Sequence, residues 1–173
     1  MSVLQPYKNQ SALVSSIWKL LESIADPEIP VLSIIDLGIL RSIQLKENGV
    51  IDIIITPTYT GCPAMDAISL DIRIKLLENG YTNFKVSSLL SPAWTTDWMT
   101  EEGKLKLKTY GIAPPGPKAQ ICGSDLFSEE ESVQCPQCKS HHTVILSRFG
   151  STACKALYQC QNCREPFDYF KCH

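Results

Sequence analysis

Over residues 11–25, SALVSSIWKLLESIA, apolar side chains recur at helical spacing, and Leu13, Ile17, Leu20, Leu21 and Ile24 share one stripe. Ser11 is placed to cap this helix, and Pro27 to stop it, because proline disfavours α geometry at Asp26. The next stretch, DPEIPVLSIIDLGIL, mixes two prolines and a glycine with apolar residues and predicts an ordered loop with little regular structure. Ile39–Lys46 and Val50–Thr56 read as strands joined at Glu47-Asn48-Gly49, where Asn-Gly is a strong hairpin signal. Residues 63–79 carry two periods. Ile68, Leu70, Ile72, Ile74 and Leu76 alternate like a strand, while Met65, Ile68, Ile72 and Leu76 line a helical face. Pro63 suits a first helical position, Asn79-Gly80 suits a stop, and the length exceeds a usual strand. A helix with both sides substantially buried is expected, followed by a strand at Asn83–Leu89.

These elements predict an α+β architecture, with helices packed on one sheet in a domain spanning residues 1–118. Within it, residues 92–116 read as a mostly solvated helix with an aromatic start at Trp94 and Trp98. That segment is either a docking surface or a helix capping the core. The proline run from Pro114 and the acidic stretch at Ser128–Glu131 mark a linker over 119–132, and a second module occupies 133–173.

The cysteines change the picture of that second module. Six of the eight lie within Cys135–Cys172, and Cys135-Pro-Gln-Cys138 and Cys160-Gln-Asn-Cys163 are CxxC knuckles 21 residues apart. Each such turn aims two thiolates at one point, so two turns on adjacent hairpins complete a closed tetrahedral site of the kind Zn²⁺ favours. Thr143–Ser147 and Ala156–Gln159 supply strands between the knuckles, as in a zinc ribbon. A module of that size buries too little core to fold unaided, so the metal supplies folding free energy. A structural zinc staple is the plain reading, and an iron or iron–sulfur centre on the same four thiolates is the alternative. Cys122 stands alone outside this cluster, Cys154 and Cys172 read as small buried hydrophobes, and His141, His142 and His173 as exposed polar residues rather than ligands.

Charge narrows little. A net charge of −2 gives no general pull toward nucleic acid or anionic membrane. The N-terminus lacks a basic start with an apolar run behind it, and no stretch is long and apolar enough to span a bilayer. A soluble, cytoplasmic chain without a membrane partner is expected.

Cys62 stands in Thr56-Pro-Thr-Tyr-Thr-Gly-Cys62-Pro63, between a strand and the start of a helix. Unpaired amides and the helix dipole there are expected to lower its pKa, which favours a reactive or metal-binding sulfur; the alternative is a packed cysteine.

DPEIPVLSIIDLGIL followed by TPTYTGCPAM resembles the small iron–sulfur assembly domain family that includes bacterial SufT. WTTDWMTEEGKLKLKTYGIAPP and GSTACKALYQCQNCREPFDYFKCH narrow the resemblance to the D subunits of phenylacetyl-CoA epoxidase, the phenylacetate-CoA oxygenase complex. It covers the chain from Ile24 to His173. The resemblance implies an accessory, non-catalytic protein in aerobic phenylacetate catabolism. Such a protein would assist iron–sulfur cluster or iron maturation of the oxygenase. Its implied partners are the other components, the iron–sulfur reductase or the di-iron oxygenase subunit. It also implies one shared site at Asp26, Glu28, Asp36, Thr56 and Cys62, with Cys62 as sulfur ligand for iron or a cluster in transit. Read alone, Asp26 and Glu28 fit equally a turn acid and a surface acid, and Asp36 fits a loop hydrogen-bond acceptor.

The residues speak against three rivals. With histidine only at positions 141, 142 and 173, no Glu-x-x-His pair exists to hold di-iron. No GxGxxG marks a reductase. Residues 133–173 carry five basic and two acidic side chains without a cluster, which is thin support for a nucleic-acid-binding ribbon. The remaining alternative is a zinc-ribbon adaptor for protein or nucleic acid with no maturation role.

Overall fold

A computed structural model describes residues 12–116 and 133–171. The expected cap at Ser11, the expected linker, Cys122, Cys172 and His173 lie outside the described residues. The chain forms two compact units that divide between Ala93 and Trp94. No helix among the described residues is long and apolar enough to cross a membrane.

The first unit begins with α1 (Ala12–Leu21), followed by strands β1 (Leu40–Leu45) and β2 (Ile51–Ile55), helix α2 (Ala64–Glu78) and strand β3 (Phe84–Ser88). Val14, Ile17, Trp18 and Leu21 are the buried residues of α1, so the core-facing stripe takes in Val14 and Trp18, while Leu13 and Leu20 are only half-buried. The helix stops well before Pro27. The next residues pair with each other instead: Asp26 N donates to Leu32 O and Ile34 N to Ile24 O, which draws Ile24 and Asp26 out of helical geometry. The expected irregular loop is therefore a tight pinch whose apolar members Ile29, Leu32, Ile34, Leu37 and Ile39 fill the core.

β1 and β2 form the expected antiparallel hairpin. Gly49 takes the left-handed φ of 76° that its turn needs, and Lys46 N donates to Val50 O to close it. The register slips at Arg41, a bulge at the end of the hairpin away from the turn. β3 adds in parallel to β2, giving the order β1-β2-β3 with α2 as the crossover. Residues 64–78 are thus helical, as their length and flanks require. Only one face is buried, however: Ala64, Ile68, Ile72 and Leu76 pack inward, whereas Leu70, Ile74 and Leu77 face solvent. The dual periodicity in the sequence reflects two apolar faces, one of which has no core to meet.

The second unit contains a 3-10 turn at Thr96–Trp98, helix α3 (Glu101–Tyr110) and the antiparallel sheet β4 (Thr143–Ser147), β5 (Lys155–Cys160) and β6 (Pro166–Phe170), in that order. α3 is locally well specified. Thr100 Oγ1 accepts from Gly103 N at 2.9 Å, two glutamates occupy the first turn, and Gly111 ends the helix at φ 96°.

The expected boundary at residue 118 moves, because the segment before it packs with the ribbon. Ala113 N donates to Asp168 O and Phe170 N to Ala113 O, so this segment extends the sheet along β6. Trp94, only 3% exposed, meets Phe170 edge-on with ring centroids 6.1 Å apart. The aromatic start is thus a core cap, not an exposed docking surface. Ala113 joins Val133, Ala156, Tyr158, Phe167 and Tyr169 in a core too large for the ribbon alone to supply. Tyr158 lies at its centre, against Phe167 at 6.0 Å and Tyr169 at 5.6 Å.

Candidate functional site

Two cysteine sites lie on these scaffolds. In the second unit the two knuckles have the same backbone. Cys135 N donates to Ser140 O at 2.9 Å, and Lys139 N donates to Cys135 O at 3.0 Å. In the other knuckle Cys160 N donates to Glu165 O and Arg164 N to Cys160 O. Lys139 and Arg164, each one residue past the second cysteine, take left-handed φ values of 63° and 66°. The repeated turn brings all four Sγ atoms within 4.8 Å of one another. Cys135 and Cys163 are 3.7 Å apart and Cys138 and Cys160 3.4 Å apart. A tetrahedral ion with metal–sulfur bonds of about 2.3 Å needs sulfurs about 3.8 Å apart, so the donor set fits one such ion.

The same turns set the thiol chemistry. The Cys163 and Asn162 amides and the Cys138 and Cys163 thiols direct hydrogen bonds at Cys160, which outweigh burial and bring its pKa down to about 6. Cys163 receives the Glu165 amide, yet burial and the three neighbouring thiols together push it up to about 12. Crowded thiols that cannot all ionise are what a bound cation resolves. Around them, His142 Nδ1 lies 3.3 Å from Asn162 Oδ1, linking the sheet to the second knuckle, and Gln134 joins Lys108 to the first. His141 and His142 are exposed and stay outside the thiol group.

In the first unit, Cys62 follows β2 and precedes α2. Its N–H donates to Tyr59 O at 3.2 Å, and its carbonyl accepts from Met65 N. Gly61 turns the chain at φ 82°. The thiol is half-buried and takes hydrogen bonds from the Ala64 amide and the Tyr59 and Thr58 side chains. Even so, its pKa is raised, contrary to the lowered value expected from the helix start. Burial is the largest cause, and the negative charge of Glu28 adds to it.

The implied site residues divide by role. Glu28, half-exposed, is brought within electrostatic reach of Cys62. Asp26 is buried, and its Oδ1 accepts from Glu28 N at 2.8 Å and Ile29 N at 2.9 Å, so it shapes the loop that carries Glu28. Asp36 is buried as well; its Oδ2 accepts from the amide and hydroxyl of Ser33, both at 2.9 Å. Thr56 is buried where its N–H donates to Ile39 O, extending the hairpin ladder past β2. Thr58 and Tyr59 join this group beyond the residues that the resemblance implies, and they share the TPTYTGCP motif with Cys62. Their signal was nearness in sequence to the thiol, four and three residues upstream.

Comparisons with known proteins follow the same division. Residues 15–80 match the family described as "Iron-sulfur cluster assembly protein", and residues 120–171 match the "PaaD zinc beta ribbon domain". A protein of Escherichia coli (strain K12), provisionally named as the D subunit of 1,2-phenylacetyl-CoA epoxidase, is 52% identical over 92% of this chain and 93% of its own. An Fe-S protein maturation auxiliary factor of Porphyromonas gingivalis is 35% identical over 51% of this chain and 85% of its own. The crystal structure of a domain of unknown function, DUF59, from Bacillus anthracis matches with a TM-score of 0.52 and 28% identity, covering 57% of this chain and 93% of that one.

Proposed function

Because the chain belongs to the family of phenylacetyl-CoA epoxidase D subunits, and carries that family's iron–sulfur assembly domain and zinc ribbon, we propose that it is a non-catalytic accessory subunit. It serves a multicomponent phenylacetyl-CoA epoxidase in the cytoplasm and assists iron–sulfur cluster or iron maturation of the iron–sulfur reductase or the di-iron oxygenase subunit.

The observation that carries this reading is the half-buried Cys62 thiol, hydrogen-bonded by Thr58, Tyr59 and the Ala64 amide and within electrostatic reach of the Glu28 carboxylate. In the metal-free protein Glu28 opposes the thiolate. An arriving iron ion or cluster edge reverses that sign, because thiolate and carboxylate then both face a cation. Binding displaces the thiol proton, and the pair offers the metal only a soft and a hard ligand. A metal held by so few protein donors keeps positions open for a client's ligands. Asp26, Asp36 and Thr56 hold the loops that place this pair. Cys135, Cys138, Cys160 and Cys163 would hold a Zn²⁺ ion, which supplies folding free energy to the second unit and no chemistry of its own.

The test is reconstitution of the epoxidase from its other components, produced in cells with this chain, without it, or with Cys62→Ala. Components made without the chain, or with the variant, are expected to be folded but deficient in iron or sulfide and in turnover. Equal iron, sulfide and turnover in all three preparations would refute maturation.

A further inference from the structure

α2 presents a second apolar stripe to solvent. Ala67, Leu70, Ile74 and Leu77 follow one another at intervals of three, four and three residues, the spacing of a helix–helix seam. Leu70 is 56% exposed, Ile74 43% and Leu77 54%. A row of large apolar side chains left in water along a folded helix marks a contact surface.

The flanks of this row identify what covers it. Asp71 and Glu78 follow Leu70 and Leu77 on one side; Asp66 and Arg73 precede Ala67 and Ile74 on the other. All four are exposed, three carboxylates against one guanidinium, with the half-buried Lys75 set behind Asp71 and Glu78 farther from the row. These flanks favour no pairing with a second copy of α2. Antiparallel pairing sets Asp71 against Glu78 of the other copy but also Asp66 against Arg73. Parallel pairing sets Asp66 against Asp71 but also Arg73 against Glu78, so repulsion and attraction offset. The row is also short: three half-exposed side chains present at most a few hundred Å², well under the roughly 800 Å² per partner of a stable interface. An acidic, undersized seam fits a transient partner of opposite charge. We infer that the outer face of α2 docks an amphipathic helix of another protein, whose apolar 3-4 stripe is flanked by lysine or arginine. The seam begins on the helix that Cys62 precedes, so a helix laid along it approaches the end that bears the thiol.

The test uses the full chain and two synthetic helical peptides with the same leucine–isoleucine stripe, one flanked by lysine and one by glutamate. Fluorescence anisotropy at low salt should show the lysine peptide binding at least about tenfold tighter, with the difference shrinking as salt is added. Leu70→Gln/Ile74→Gln should abolish binding with no loss of helical circular dichroism, since both residues face water. Asp71→Lys/Glu78→Lys should reverse the preference between the peptides. Equal binding of both peptides, or binding of neither, overturns the inference. So does a concentration-dependent dimer in sedimentation that Leu70→Gln/Ile74→Gln dissolves, because the occupant is then a second copy. None of these readouts involves Cys62 or iron, so their failure leaves the maturation reading standing.

Discussion

Burial first, and the carboxylate of Glu28 in addition, hold the thiol of Cys62 toward its protonated form, although a loop, a hairpin and a further turn separate Glu28 from Cys62 in sequence. A protonated thiol is less reactive toward oxidants than its thiolate, and on the maturation reading an arriving cation would offset both burial and the Glu28 charge.

The charge on Cys62 is expected to be adjustable in both directions. Alkylation followed at the Cys62 peptide by mass spectrometry should rise with pH, with a midpoint above that of an ordinary thiol, because burial and Glu28 raise its pKa. Glu28→Gln removes a charge that opposes the thiolate and should move the midpoint down. Tyr59→Phe removes a hydrogen bond that favours the thiolate and should move it up. Coincident profiles for all three proteins would show that neither group acts on the sulfur.

Metal at the four-cysteine site should control more than the ribbon. Cys138→Ser, or a strong chelator under mildly denaturing conditions, is expected to release about one zinc ion per chain. It should also release the cap, since Ala113 and Trp94 dock on β6 and Phe170. The readouts are metal content and a red shift of tryptophan emission that persists in a Trp18→Phe background. Retention of dispersed NMR signals for residues 133–171 without metal would show that the ribbon folds unaided.

Local chemistry in the sequence was legible. Asn48-Gly49 gives its hairpin because glycine alone takes that φ cheaply, and the paired CxxC spacing gives the thiol cluster because the turn geometry is fixed within a few residues. What depends on distant partners was not. The pKa of Cys62 turns on burial and on Glu28, which no local pattern ties to it. The allegiance of residues 94–116 turns on Ala113 pairing with Tyr169, a contact between segments far apart in the chain. The two stripes of α2 were both visible, but which of them has a core is a property of the fold.

The last expectation concerns Asp168, on which the GSTACK segment converges. Ser151 Oγ donates to its Oδ2 at 2.9 Å, Lys155 Nζ lies 3.8 Å from the same oxygen, and a Cβ on Gly150 would fall 2.5 Å from Oδ1. Lys155 is buried and Asp168 partly exposed, at 5% and 22% of their side-chain surfaces. The two ends of the pair are therefore unequal. Asp168→Ala strands a buried ammonium and should cost about 2 kcal/mol, less than the roughly 3–5 kcal/mol of fully buried pairs because water reaches the carboxylate side. Lys155→Met keeps the packed stem and leaves Asp168 with Ser151 and solvent, so its cost should be below about 1 kcal/mol. Gly150→Ala drives a methyl into the carboxylate and should cost about 1–3 kcal/mol in the wild type. In an Asp168→Ala background that added cost should largely vanish, since the clashing oxygen is gone. Chemical denaturation of the metal-loaded protein measures all four. If Lys155→Met destabilises as much as Asp168→Ala, the asymmetry is wrong. If Gly150→Ala costs the same in both backgrounds, the close approach of Ala156 and Lys155, and not Asp168, sets its cost.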